Sequence, residues 1–139
     1  MRNLMQKKRL RNQRGNALLE SALVLWPFML IVFGIIQVSF VIWSNSTLAY
    51  AVDASVRYAT LNGARSSAPA TADDIKQILR DNALGLDTSI LTANVTWTPN
   101  NRPGSTVRIE ATYPIQTLIS VVWDHPYSLK ATSEMLILN

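Results

Sequence analysis

The chain has 139 residues, room for one compact domain and a membrane segment. It contains no cysteine, which excludes disulfides, thiol catalysis and cysteine-bound zinc. Its formal charge of +4 is unevenly placed: of 13 basic residues, Arg2, Lys7, Lys8, Arg9, Arg11 and Arg14 precede Gly15 with no acid among them, and the rest carries a net charge of −2. The basicity belongs to a leader over residues 1–15 and not to a binding surface, so no nucleic-acid partner is expected. A basic arm touching nucleic acid or anionic lipid is the alternative. The apolar run that follows at once makes a membrane flank the better account.

From Ser21 to Trp43 there is no charged side chain. As a helix this run spans about 34 Å at roughly 1.5 Å per residue, enough to cross a hydrocarbon core of about 30 Å and meet membrane lipid. A cleaved secretory signal has a shorter apolar core followed by a small-residue cleavage site, and here the helical pattern continues instead. Trp26 and Trp43 lie near the two ends, where aromatic rings favour the interface. The positive-inside rule places Met1–Arg14 in the cytoplasm and the chain beyond about Ser44 outside it.

Within the span Pro27 lacks the amide donor of an ordinary helical residue and is expected to loosen the turn before it. Gly34 and Gln37 sit one turn apart on one face, where they mark a helix–helix contact or are simply tolerated. At the head of the span stands Glu20. A charge inside a bilayer costs about 2.5–3.5 kcal/mol on insertion scales, so Glu20 either snorkels to the headgroups or meets a partner.

The helix, residues 16–62 in all, continues past Trp43 to about Leu61. Leu48, Val52, Val56 and Ala59 form an apolar stripe, with Tyr50, Ala54 and Tyr58 beside it and Asp53 and Arg57 as an i,i+4 pair opposite. Asn62-Gly63 is a stop signal, and the stretch from Ala64 to Ala70 reads as a linker. A second helix is predicted from about Ala72 to Ala83, capped by Thr71, with Asp73 and Asp74 in its first turn. Its apolar face is Ile75, Ile78 and Leu79, extending to Leu84.

Beyond Gly85 the period becomes two. Ala93, Val95 and Trp97 alternate with polar residues, Pro99–Gly104 turns the chain, and Val107, Ile109, Ala111 and Tyr113 form the buried face of a returning strand. Leu129, Ala131, Ser133, Met135 and Ile137 predict a third strand. The extracytoplasmic part, residues 63–139, is small for an independent core without disulfides, and packing the sheet on the stripe from Leu48 to Ala59 would remedy that. The expected fold is therefore α+β, a long N-terminal helix laid on a small antiparallel sheet with a short second helix. Ile115–Trp123 is very apolar: either an ordinary buried element or an exposed patch facing membrane or another subunit.

No catalytic apparatus is evident. His125 follows Asp124 and lies near Ser120, but chain neighbours point to opposite faces and Asp-His-Pro more often makes a turn. Asp73, Asp74, Asp81 and Asp87 lack calcium-loop spacing, and no phosphate loop or cofactor motif is present. Asn45-Ser46-Thr47 and Asn94-Val95-Thr96 match a glycosylation sequon, a pattern too short to carry weight outside a eukaryotic host.

A basic leader ending in Gly15, four residues, Glu20 and then a long apolar helix resembles the type IV prepilin signal. That resemblance implies cleavage by prepilin peptidase between Gly15 and Asn16, and pairing of the new Asn16 ammonium with Glu20 of a neighbouring subunit. Asn16 departs from the phenylalanine usual in major pilins, which weighs against N-methylation and a major-subunit role. The stretch from Gly15 to Gly63, with ALVLWP, GIIQ and an alanine-rich helix ending in Asn62-Gly63, resembles the TadE-like pseudopilins of tight-adherence (type IVc) pili. Trp26 is inserted before Pro27, and Gln37 stands where an acid is frequent. Tyr113-Pro114 and Leu129-Lys130-Ala131-Thr132 extend the likeness toward the C-terminus.

The resemblance implies a minor pilin-like subunit of the inner membrane. It would assemble, initiate or cap an adhesive pilus, with other pilins, prepilin peptidase and the assembly platform as partners. An uncleaved, membrane-anchored periplasmic binding module is the alternative, and a major pilin a third.

Overall fold

The computed structural model describes residues 2–115 and 127–138, with side chains from Ala17 onward. Helix α1 (Arg2–Leu61) is followed by helix α2 (Ala72–Asn82) and strands β1 (Thr92–Thr98), β2 (Thr106–Ile115) and β3 (Tyr127–Leu136). The fold is α+β, as the change of period from helical to two predicts. Two compact units divide the chain, Met1–Ser39 and Phe40–Asn139.

In the first unit the part of α1 from Ser21 to Ser39 is uncharged, largely apolar on every face, and bare. Leu18, Leu23, Leu30, Ile35 and Val38, spread over every face, are all more than half exposed. A helix of this kind needs an apolar surrounding, lipid or other helices. The helix continues through Pro27 without a break, leaving the carbonyl of Leu23 without its usual donor. Ser21 and Ser39 satisfy their hydroxyls on the carbonyls of Ala17 and Ile35, both at 2.8 Å.

In the second unit α1 acquires a buried face. Ser44, Leu48, Ala51, Val52, Ser55, Val56 and Ala59 are all buried, a run of three- and four-residue steps that keeps one side of the helix against the core. Asp53 and Arg57 lie on the exposed side as expected, but they do not pair. Among the described residues the ion pairs are Lys76–Asp73 at 3.8 Å and Arg108–Glu110 at 2.7 Å. An exposed i,i+4 pair contributes only about 0.3–0.5 kcal/mol, too little to hold two long side chains in one geometry. The helix stops by a different device from a left-handed glycine. Asn62 donates its backbone N–H (3.1 Å) and its side-chain amide (3.0 Å) to the Tyr58 carbonyl, and its own carbonyl accepts from Ala70 at 2.8 Å.

Three antiparallel strands form a sheet in the order β1-β2-β3. The central strand buries Val107, Ile109, Ala111, Tyr113 and Ile115 on one face, as its alternation requires. The register sets Val95, Ile109 and Ser133 in one cross-strand row and Ala93, Ala111 and Ala131 in another. The alanine row keeps the sheet low across its width and leaves room for a helix to approach. Ile137, just past β3, is buried, and its N–H donates to the Ser105 carbonyl at 2.8 Å, while the Leu138 N–H donates to the Thr60 carbonyl of α1 at 3.3 Å. Met135 faces inward as predicted, its sulfur accepting from Thr60 Oγ1 at 3.9 Å, although near the end of an edge strand it stays 38% exposed. Of the apolar run Ile115–Trp123, Ile115 closes β2 and is buried; the remainder, with Asp124 and His125, lies outside the described residues.

Helix α2 buries Ile75 and Leu79 in the same core, with Ile78 half-buried. Leu84, predicted to extend this face, is instead 71% exposed, because the helix ends at Asn82 and the chain turns away. The N-terminus of α2 carries a reciprocal cap. The Asp74 N–H donates to Thr71 Oγ1 at 3.2 Å, and the Asp74 carboxylate accepts from the Thr71 N–H at 3.0 Å and its hydroxyl at 2.7 Å. These bonds, the backbone one first, hold the Asp74 carboxyl below its ordinary 3.8.

Thr71→Ala is expected to lower the unfolding free energy of the extramembrane part by about 1 kcal/mol at neutral pH, measured by thermal melts in detergent. Because the folded carboxyl titrates below its unfolded value, its stabilisation is complete above pH 3.8 and is lost as pH falls through the folded value. The difference in melting temperature between wild type and Asp74→Ala should therefore be constant near neutrality and shrink in acid below that pH.

A second test concerns Gly85, whose φ is +77° and whose added Cβ would lie 2.5 Å from Trp43 Cη2. Gly85→Ala combines a left-handed residue, which costs about 1–2 kcal/mol, with displacement of the indole ring. A clear drop in melting temperature is expected, and an unchanged one would contradict the turn geometry.

Candidate functional site

The junction residues Gly15 and Asn16 lie within α1, and their side chains are outside the described residues. Glu20 follows one turn later and is exposed on the helix surface. It shares a shallow cleft with Ser21, Val24, Leu25 and Phe28. Glu20, Val24 and Phe28 are spaced by four residues and lie along one side of the helix, so the carboxylate stands at the head of an apolar stripe. A helix docking along that stripe would bring its own groups beside the carboxylate in a poorly hydrated setting, where a cation is strongly preferred.

Farther along, an added Cβ at Gly34 would meet nothing within 4 Å, so the helix backbone is open to close approach there. Gln37, one turn on, is half-buried, and Pro27 is exposed. Glu20, Pro27 and Gly34 are spaced by seven residues, close to two turns, so they lie along one side of α1, with Gln37 one turn past Gly34.

At the start of the second unit Trp43 is 45% exposed and lies 5.9 Å from Phe40, ring centre to ring centre. Its six-membered ring lies against Gly85 in the connection between α2 and β1. No local pattern announces this contact: Trp43 is legible as an interfacial aromatic and Gly85 as a change of period, but their proximity is tertiary. Beside the same connection a groove runs between α2 and β1, lined by Lys76, Leu79, Arg80 and Leu91–Ala93. Asp87, just after the turn, accepts from the Ser89 hydroxyl (2.6 Å) and N–H (3.0 Å), which holds its carboxyl below 3.8. Among the described residues no three histidine or carboxylate side chains gather as metal ligands would.

The described chain has one helix long and apolar enough to cross a membrane, and it fits a single-span anchor. Residues 15–57 match the model of the family described as TadE-like protein. No curated protein matches the chain, and no solved structure does. The match begins at Gly15, where the basic stretch ends, and runs through Glu20 and the apolar run into the buried helix face. Over Gly15 to Arg57, about a third of the chain, the protein is thus similar to the TadE-like family.

Proposed function

We propose that this protein is a minor pilin-like subunit, a pseudopilin, of a tight-adherence (type IVc) pilus. The observation that carries the reading is the TadE-like match over residues 15–57, which starts at the leader junction and includes the carboxylate at the helix head. The leader, residues 1–15, stays in the cytoplasm and is removed by prepilin peptidase between Gly15 and Asn16. The helix of residues 16–62 is held in the inner membrane over about Ser21–Trp43, and the extracytoplasmic part, residues 63–139, lies in the periplasm.

In assembly the new ammonium of Asn16 meets Glu20 of a neighbouring subunit. Removing a carboxylate from water is costly unless a counter-charge with good geometry is supplied, and a second helix N-terminus at the same depth supplies one. The bare apolar face between Glu20 and Trp43 then packs against other pilins, with Gly34 and Gln37 at the closest approach and Pro27 shaping the helix. The assembly platform takes subunits from the membrane, and this one initiates, caps or adapts an adhesive filament.

Glu20→Ala tests the pairing. The variant is expected to remain an integral membrane protein, since loss of the charge favours insertion by about 2.5–3.5 kcal/mol if the side chain sits deep. It should disappear from sheared pili while wild type remains there, as read by immunoblot of both fractions. Incorporation of Glu20→Ala at the wild-type level would exclude the charge pair.

A further inference from the structure

Between α2 and β1 the chain makes a tight turn over Ala83-Leu84-Gly85-Leu86, closed by the Leu86 N–H donating to the Ala83 carbonyl at 3.1 Å. Gly85, with φ +77°, occupies the third position, where a turn of this kind needs a left-handed residue. Both ends of the turn are fixed in the core: Ala83 is 2% and Leu86 is 7% exposed. Leu84, at the tip, is 71% exposed. Turn tips ordinarily carry polar residues, and the two buried neighbours fix Leu84 in its outward position.

The position of the turn identifies what the leucine meets. Gly85 rests on the indole of Trp43, the residue at which the chain leaves the bilayer. No charged side chain occurs from Ser21 to Val52, so the helix beside the turn is uncharged on both sides of Trp43. As a helix that run measures about 48 Å, well beyond a hydrocarbon core of about 30 Å. The uncharged surface therefore extends into the headgroup layer, and the turn abuts it there.

We propose that the Ala83–Leu86 turn is a membrane-surface contact, with Leu84 inserted into the outer part of the bilayer beside Trp43. The turn gives the domain a second attachment to the lipid surface besides the helix. This rests on the membrane-span reading of α1, and the test separates the two.

The chain has no cysteine, so Leu84→Cys can be labelled alone with the fluorophore NBD in the full-length protein, with Thr96→Cys on the exposed sheet face as reference. Both proteins are reconstituted into phosphatidylcholine vesicles at no more than one copy per vesicle. Vesicle flotation reports insertion, nitroxide-labelled phosphatidylcholine reports contact with acyl chains, and iodide reports exposure to water. At position 84 a blue-shifted emission, several-fold stronger quenching by the lipid nitroxide than at position 96 and weaker quenching by iodide are expected. Equal quenching profiles at the two positions, in a chain that floats, would overturn the contact and leave the membrane span standing. Shielding from iodide without lipid quenching would overturn it in favour of a protein contact. A chain that fails to float would overturn the span reading and the turn contact with it.

Discussion

One helix has to satisfy two surroundings. From Ser21 to Ser39 α1 carries no charge and is exposed over most of its surface, and from Ser44 onward one of its sides forms the wall of a core. The rest of the fold depends on that wall. A three-stranded sheet with an 11-residue helix and no disulfide can close only a marginal core of its own. Leu48, Val52, Val56 and Ala59 supply the missing side, and Ile109, Val107, Ile75 and Leu79 complete one cluster with them. Small residues at Ser44, Ala51, Ser55 and Ala59 keep that face of the helix shallow. The alanine row across the sheet does the same from the other side. Ser55 pairs its hydroxyl with the Ala51 carbonyl at 2.7 Å; the buried Ser44 hydroxyl has no partner among the described residues, which costs about 1–3 kcal/mol.

Much of this is legible in the sequence because it is periodic. The stripe from Leu48 to Ala59, the capping role of Thr71 and the alternation in β2 are consequences of fixed geometries, 3.6 residues per turn and two residues per pleat. What escapes is what depends on distant partners. Leu84 stands five residues past Leu79, off the three- and four-residue steps of the α2 face, and the helix ends before reaching it. Gly63 looks like a left-handed terminator, but Asn62 caps the last turn with its own side chain. Asp53 and Arg57 have a favourable spacing and no reason to meet, since water solvates both. The Trp43–Gly85 contact joins residues in separate elements and leaves no trace in either local pattern.

The site is legible to a different degree. A carboxylate at the head of an apolar helix is conspicuous because of its energetic cost, and the same applies to proline and glutamine in the span. Their positions along the helix follow from counting. The counter-charge proposed for Glu20 does not, because it would belong to another molecule or to a terminus created by cleavage. The TadE-like match covers residues 15–57 and ends before the sheet begins, so packing alone accounts for the part beyond α1.

The most direct test of the pilin-like account is the intact mass of the protein from its native membrane, with prepilin peptidase present and deleted. The account predicts a mature chain beginning at Asn16 in the first strain and a chain retaining residues 1–15 in the second. Retention of the leader in both would contradict it, and would leave an uncleaved membrane anchor carrying a small α+β domain.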